Sequence, residues 1–148
     1  MWAATGMLGL FLGAIVLTAL SSSAHPASHI ETVNPDTLSV TGEFAAPGVT
    51  LRADGGVAVV MRAEFYAFHP EVIRVPSGTP VTFRITSPDV LHGFQIVGTN
   101  VNLTVAPGYI SEVTTTFVRP GEYLVVCNEY CGLAHHLMQG KVIVEGAP

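Results

Sequence analysis

Charge is scarce in this sequence. Charged residues make up 11% of its 148 residues, against about 25% in an average soluble domain. Six lysines and arginines face eleven acidic residues, for a net charge of −5, and no basic run is present to neutralise phosphates, which excludes nucleic acid as a partner. Cys127 and Cys131 are the only cysteines, too few for a scaffold built on several disulfides. With 49% hydrophobic residues, the chain is also too apolar to be disordered.

The N-terminal segment lacks charge altogether, and Glu31 is the first charged residue. Residues 2–20 are a run of nineteen predominantly apolar residues, which as a helix would span about 28 Å and match a bilayer core. We therefore expect residues 1–22 to form a single transmembrane helix that anchors the chain. A cleaved secretory signal is the alternative, with Ser22-Ser23-Ala24 as the cleavage site. Either interpretation sends the rest of the chain across the membrane.

From residue 57 onward, short apolar segments alternate with turns rich in proline and glycine, which is typical of β-strands. We expect eight strands, at residues 57–61, 72–75, 81–85, 93–97, 102–106, 111–117, 122–126 and 141–144. This spacing predicts an all-β fold, a Greek-key β-sandwich or barrel, over residues 57–148. Residues 23–56 are expected to be a linker and a turn-rich lead-in.

A cluster of metal-binding residue types lies between the last two of these strands. Cys131 follows Cys127 by four residues. His135 comes four residues after Cys131, and Met138 three residues after His135. His92 lies at another strand boundary, where a β-sandwich would bring it to the same end of the domain. Two thiolates, two imidazoles and a thioether are soft ligands, and together they favour copper.

The second cysteine separates this set from blue-copper sites, which use one. Two thiolates suit two copper ions that share both sulfurs, with one histidine on each ion. Met138 and a backbone carbonyl of the loop would fill the weak axial positions. A Cys127–Cys131 disulfide and a zinc site of two cysteines and two histidines are the alternatives. The other histidines are expected to be ordinary surface or linker residues: His25, His29, His69 and His136.

These residues lie in segments that resemble subunit II of the haem–copper respiratory oxidases, the cytochrome c oxidase family, and in particular its short B-type (cytochrome ba-like) form. The resemblance is carried by residues 127–138 (CNEYCGLAHHLM) and 85–94 (ITSPDVLHGF). Residues 98–102 and 119–123 also look like segments of the family. The resemblance covers about residues 57–145 and implies a cupredoxin-like fold with the binuclear copper centre called CuA.

The resemblance also implies a role for each residue of the site. The ligands it carries over are the bridging Cys127 and Cys131, the terminal His92 and His135, and the weakly bound Met138 sulfur and Glu129 main-chain oxygen. In many members an acid at the position of Glu129 also binds magnesium shared with subunit I. The tryptophan through which electrons enter many relatives is missing from this domain, and Tyr66 and Phe68 are candidates to replace it.

The function implied is an electron relay within a terminal oxidase. A soluble donor, cytochrome c or a small copper protein, would reduce the copper centre, and the electron would pass to haem in subunit I, where dioxygen is reduced to water. The chain would belong to an oxidoreductase complex without being the catalyst itself. It would cross a bacterial or archaeal cell membrane once, in contact with lipid, with the copper domain on the periplasmic or extracellular side. The alternatives are the copper domain of a nitric-oxide or nitrous-oxide reductase, and a periplasmic copper-delivery protein.

Overall fold

The computed structural model of the protein describes residues 2–21 and 30–146. The chain divides into two compact units, Met1–Ile30 and Glu31–Pro148. The first unit contains one helix, α1 (Trp2–Ser21). Among the residues that the structure describes, no helix combines the length and the apolar character that crossing a membrane requires. His25, His29 and the proposed cleavage site at residues 22–24 lie outside the described residues.

The second unit is built from strands, with three short 3₁₀ helices at Pro35–Thr37, Glu43–Ala45 and His135–Leu137. Its ten strands are β1 (Gly48–Leu51), β2 (Val57–Glu64), β3 (Ala67–His69), β4 (Val72–Pro76), β5 (Pro80–Thr86), β6 (His92–Ile96), β7 (Asn102–Val105), β8 (Ser111–Thr116), β9 (Gly121–Val126) and β10 (Gln139–Glu145). All eight segments expected from the sequence are strands, with ends that differ by up to three residues.

The strands form two five-stranded sheets. One has the order β1-β2-β5-β8, with β3 also paired to β2, and the other has the order β4-β10-β9-β6-β7. Two pairs, β2 with β5 and β4 with β10, are parallel, and the remaining pairs are antiparallel. The chain passes repeatedly from one sheet to the other, so both sheets are needed to complete the all-β sandwich that the sequence predicts.

Alternation along the strands builds the core between the two sheets. In β2 every second residue is buried, from Val57 to Ala63, because successive side chains of a strand point to opposite faces. Phe94 joins the aromatic part of the core, with its ring 5.6 Å from the rings of both Phe68 and Phe83. The core therefore closes the sandwich and leaves the loops at its ends to carry function.

The lead-in is more structured than its composition suggests. Residues 31–56 lie in the same compact unit as the strands, and β1 and β3 are strands that the sequence pattern does not reveal. Leu38 and Phe44 of this segment are buried. The division into residues 1–22, 23–56 and 57–148 stays a prediction.

Candidate metal centre

Sheet pairing brings the predicted ligands to one end of the sandwich. β9 is antiparallel to both β10 and β6, so that Val126 pairs with Gln139 and with Gln95. The end of β9, the start of β10 and the start of β6 are therefore neighbours. Cys127 directly follows β9, Met138 directly precedes β10, and His92 is the first residue of β6.

Residues 127–138 form one loop, which we call the copper loop. The Cys127 amide donates a hydrogen bond to the Met138 carbonyl over 3.2 Å and closes it at its base. Within it, the amides of His135 and Met138 donate to the carbonyls of Gly132 and His135. These bonds fold residues 132–138 back over the end of the sheet, because a short 3₁₀ turn reverses the chain within a few residues.

The two cysteines face each other. Their sulfurs are 3.7 Å apart, well beyond the bond length of about 2.0 Å in a disulfide, and both thiols are free and buried. The Cys127 thiol donates to the Glu129 carbonyl over 3.2 Å. The carbonyl expected to act as a ligand thus lies beside the sulfur pair, as the resemblance implies.

Each sulfur has an imidazole of its own. Nδ1 of His92 lies 4.0 Å from the Cys127 sulfur, and Nδ1 of His135 lies 3.6 Å from the Cys131 sulfur. The Met138 sulfur is 3.8 Å from that of Cys131. His92, Cys127 and Cys131 offer ligand atoms within 4.8 Å of one another, all from buried residues. The structure therefore brings together all six of the groups that the sequence nominates.

Asp89 holds His92 from the other side of the ring. Its Oδ1 atom lies 2.8 Å from Nε2 of His92, which leaves Nδ1 facing Cys127. Oδ1 also accepts from the Ser87 hydroxyl and the Val90 amide, and Oδ2 accepts from the Phe65 amide. A carboxylate on the distal nitrogen fixes the ring orientation and strengthens a histidine as a metal ligand.

These hydrogen bonds also set the charge of Asp89. Burial alone would raise the pKa of its carboxyl group, but the bonds from His92, Val90, Ser87 and Phe65 stabilise the ionised form more strongly. The pKa of Asp89 consequently lies below its ordinary value. Sequence reasoning missed this residue because it looks like one of several scattered surface acids, although its position in the Ser87-Pro88-Asp89 turn, three residues before His92, was a usable signal.

The donor set fits a soft metal ion. Burial, together with the neighbouring Cys127 sulfur, raises the pKa of the Cys131 thiol to about 11. Without a metal ion, the apolar surroundings thus keep this thiol protonated. Binding of a metal cation would release the proton, because a cysteine binds metal as the thiolate. Two sulfurs with one imidazole each, plus a thioether, form a set typical of copper.

The aromatic residues near the site divide into three roles. Phe68, one of the two candidates for the point of electron entry, is buried in the core, so a donor would have no direct contact with it. Tyr66 is half-buried, and its hydroxyl accepts a hydrogen bond from the Leu133 amide over 3.1 Å. Phe65 is the exposed member of the group, with its ring 6.3 Å from that of His92. His69 and His136, expected on the surface, are both exposed.

Comparisons with known proteins place the site in a family. Residues 61–146 match the family described as cytochrome C oxidase subunit II, periplasmic domain. The chain is 41% identical over 143 residues to a cytochrome c oxidase subunit 2 of Thermus thermophilus, in an alignment that covers 94% of this chain and 85% of that protein. The alignment thus spans most of both chains.

Solved structures agree. A chain from a heme-copper terminal oxidase dimer, solved by cryo-electron microscopy, is 31% identical with a TM-score of 0.67, covering 98% of this chain and all of that one. The periplasmic domain of subunit II of the Bradyrhizobium japonicum cytochrome oxidase is 17% identical with a TM-score of 0.57, covering 68% of this chain and 88% of that one. The second likeness shows the fold alone, which is cupredoxin-like as the sequence predicts. The chain belongs to the subunit II family of haem–copper oxidases, and residues 31–146 include its copper-binding domain.

Proposed function

We propose that the copper loop and His92 hold a binuclear copper centre that relays single electrons from a soluble donor to the haem of subunit I. The observation that carries this proposal is the pairing of two buried sulfurs 3.7 Å apart, each with its own imidazole nitrogen within 4.0 Å. A blue-copper site uses a single cysteine, so it would leave one of the two thiols without a role.

Each residue has a separate task in the proposal. Cys127 and Cys131 would each contact both metal ions, while His92 and His135 would each bind one of them. The Met138 sulfur and the Glu129 carbonyl would bind weakly and adjust the reduction potential more than they hold the metal. When bound, the copper pair supplies a group that accepts and releases one electron with little change in its ligands.

An apolar surface surrounds the ligands and supports docking of a soluble donor such as cytochrome c. We call it the apolar rim; its members are Phe65, Leu91, Tyr130, Leu133 and Leu137, all exposed. Leu133 is 90% exposed, and a group of exposed apolar residues beside a candidate metal site is typical of a protein–protein contact surface. Tyr66 supports the base of this rim through its bond to the Leu133 amide.

We further propose that residues 1–22 anchor the copper domain in a bacterial or archaeal cell membrane, on its periplasmic or extracellular face. The support is the uncharged, predominantly apolar sequence before Glu31, since a run of this length matches the thickness of a bilayer core. Extraction of the membranes with alkaline carbonate tests the anchor. A chain that is released into the soluble fraction would contradict it.

Glu129 is the proposed contribution of this chain to a magnesium site shared with subunit I. Among the described residues, none donates a hydrogen bond to its carboxylate or forms an ion pair with it, and this residue of the copper loop is half-buried. One carboxylate cannot hold magnesium alone, because the ion requires about six oxygen ligands, so the others must come from subunit I and water. Manganese substitution in the assembled oxidase would reveal the site by its magnetic resonance signal, which Glu129→Gln should remove.

The test of the copper centre uses the full chain in detergent, loaded with copper. We expect about two copper ions per chain and an electron paramagnetic resonance spectrum with hyperfine structure from two equivalent coppers. Met138→Leu should keep that spectrum with an altered reduction potential, whereas Cys127→Ser should abolish it. A spectrum of shared spin that survives Cys127→Ser would refute the bridging role.

Two adjacent histidines offer a matched control. His135→Ala should lose the shared spectrum, while His136→Ala should keep it, because His136 is exposed and it is Nδ1 of His135 that lies 3.6 Å from the Cys131 sulfur. Equal behaviour of the two variants would show that the loop binds copper without the arrangement proposed here.

A further inference from the structure

Gly93 lies where the copper loop crosses the neighbouring strand. It follows His92 in β6 and sits opposite the start of the loop. A Cβ atom added to Gly93 would lie 2.0 Å from Oδ1 of Asn128, 2.7 Å from the Asn128 backbone nitrogen and 2.8 Å from that of Glu129. Real Cβ contacts are essentially never this short, so any side chain at position 93 must push the loop away.

The space above Gly93 is occupied by the Asn128 side chain. Asn128 lies just beyond the end of β9, and its amide nitrogen donates to the Asn102 side-chain oxygen over 3.0 Å. Asn102 is the first residue of β7, on the other side of β6. The Asn128 side chain therefore bridges from β9 to β7 across β6, and the missing side chain of Gly93 makes the crossing possible.

The close approach has a consequence for the sulfur. The Gly93 amide donates to the Cys127 sulfur over 3.4 Å, and both groups are buried. A hydrogen bond to a charged group contributes more than one between neutral groups, and it draws charge from a metal-bound thiolate. Hydrogen bonding around a cysteine sulfur is one of the ways in which proteins set the potential of a copper site.

We infer that Gly93 is a positioning residue that sets the reduction potential of the centre, by letting the backbone of residues 127–129 lie against β6 so that the Gly93 amide bonds to Cys127. The inference rests on the copper centre proposed above. The Asn128–Asn102 bridge holds the loop in that position. An added Cβ atom would also approach two backbone nitrogens. A side chain at position 93 would therefore displace the main chain of the loop, and not only the Asn128 side chain.

The test measures the reduction potential of the copper-loaded full chain by redox titration, with metal content and the paramagnetic resonance spectrum recorded on the same samples. In Gly93→Ala the ratio of reduced to oxidised centre at a fixed applied potential should fall by about tenfold, since the lost amide bond no longer favours the reduced form. Asn102→Ala introduces no clash and should shift the ratio in the same direction by less. An unchanged potential in both variants would overturn the inference.

Two controls separate this inference from simpler explanations. Gly48→Ala adds a methyl group to β1 at a glycine with open space around it, and the potential should stay at the wild-type value. In the double variant Gly93→Ala/Asn128→Ala the backbone contacts persist, so the potential should remain shifted; recovery of the wild-type value would mean that only the Asn128 side chain matters. If the wild-type chain itself lacks a two-copper spectrum, the proposed centre fails, which is a result distinct from an unshifted Gly93→Ala.

Discussion

At the scale of single residues, Asp89 supports one of the proposed ligands, His92. Its two oxygens accept four hydrogen bonds, three of them on Oδ1. All four partners are hydrogen-bond donors. An asparagine side chain has an NH2 group in place of one carboxylate oxygen, so at least one of these donors would then face another donor. Asp89 thus orients His92 from the Nε2 side of its ring, while Nδ1 faces the Cys127 sulfur.

Asp89→Asn should weaken copper binding by about 10- to 100-fold, the usual effect of losing a partner that orients a metal ligand. Competition with a copper chelator of known affinity measures the change. Asp36→Asn is a suitable control, because Asp36 is an exposed aspartate in the lead-in and its substitution should leave copper affinity within about twofold. Equal losses in both variants would show that Asp89 acts only through the net charge of the domain.

The sequence predicted the cluster of candidate ligands but not the residues that support it, and the reason is physical. Soft ligands at short spacing in one loop are visible in one dimension, and the structure brings the nominated groups together. Gly93 and Asn128 act through contacts between separate strands, which no local pattern reveals. Asp89 contacts His92 within one turn, so only its place in that turn could have identified it. Phe68 was nominated for its ring, but burial depends on which face of β3 it occupies, and that face is the core.

At the scale of elements, the lead-in forms a strap, residues 31–45, held against the sheet that contains β5. Backbone bonds join Ile110 to Glu31 and Val33 to Gly108. Arg84 of β5 then forms ion pairs with Glu31, Glu43 and Glu112 at 2.8, 2.7 and 2.6 Å. These partners raise the pKa of Arg84 above its ordinary value, because each carboxylate stabilises the charged guanidinium.

Arg84→Met should lower the free energy of unfolding by about 1–2 kcal/mol, since three carboxylates would then face each other without a counter-charge. Thermal unfolding followed by circular dichroism measures the loss, which should shrink in high salt as the repulsion is screened. Arg74→Met provides the comparison: its pair with Glu145 is exposed on both sides, and its removal should change stability by less than about 0.5 kcal/mol. A salt-independent loss in Arg84→Met would point to lost packing instead of lost charge pairing.

The strap also shows why an element can escape a sequence-based prediction. Residues 31–56 have little periodicity and many turn formers, which is typical of a linker. Their order comes from tertiary contacts: Leu38 and Phe44 are buried, and the Phe44 carbonyl accepts from Arg62 over 2.9 Å. β1 likewise has three exposed residues out of four, so it lacks the alternation that identified the other strands.

At the scale of the whole molecule, the net charge and the apolar rim lead to different expectations for how an electron donor binds. The chain has a net charge of −5, yet several of its acids are engaged in ion pairs, including the three around Arg84. The apolar rim, in contrast, lies at the copper end and is exposed. We therefore expect contact near the copper loop to depend on the rim, with net charge making only a small contribution to the rate of encounter.

Leu133→Glu and Val118→Glu separate these two contributions. Both residues are highly exposed, at 90% and 81%, and both changes add one negative charge. Val118, however, lies in the connection from β8 to β9, at the opposite end of β9 from the copper loop. Any difference between the variants must therefore come from the position of the charge.

Stopped-flow mixing of the copper-loaded chain with reduced cytochrome c gives the second-order rate constant for electron transfer. We expect Leu133→Glu to lower this rate constant by about tenfold, because a charge at the centre of an apolar contact must be stripped of water, which costs free energy. Val118→Glu should change it by less than about twofold. The rate constant of the wild-type chain should also fall only slightly with rising salt, since apolar contact is not screened. Equal effects of the two substitutions, or a steep salt dependence, would mean that the donor is guided by the overall negative charge and does not dock on the rim.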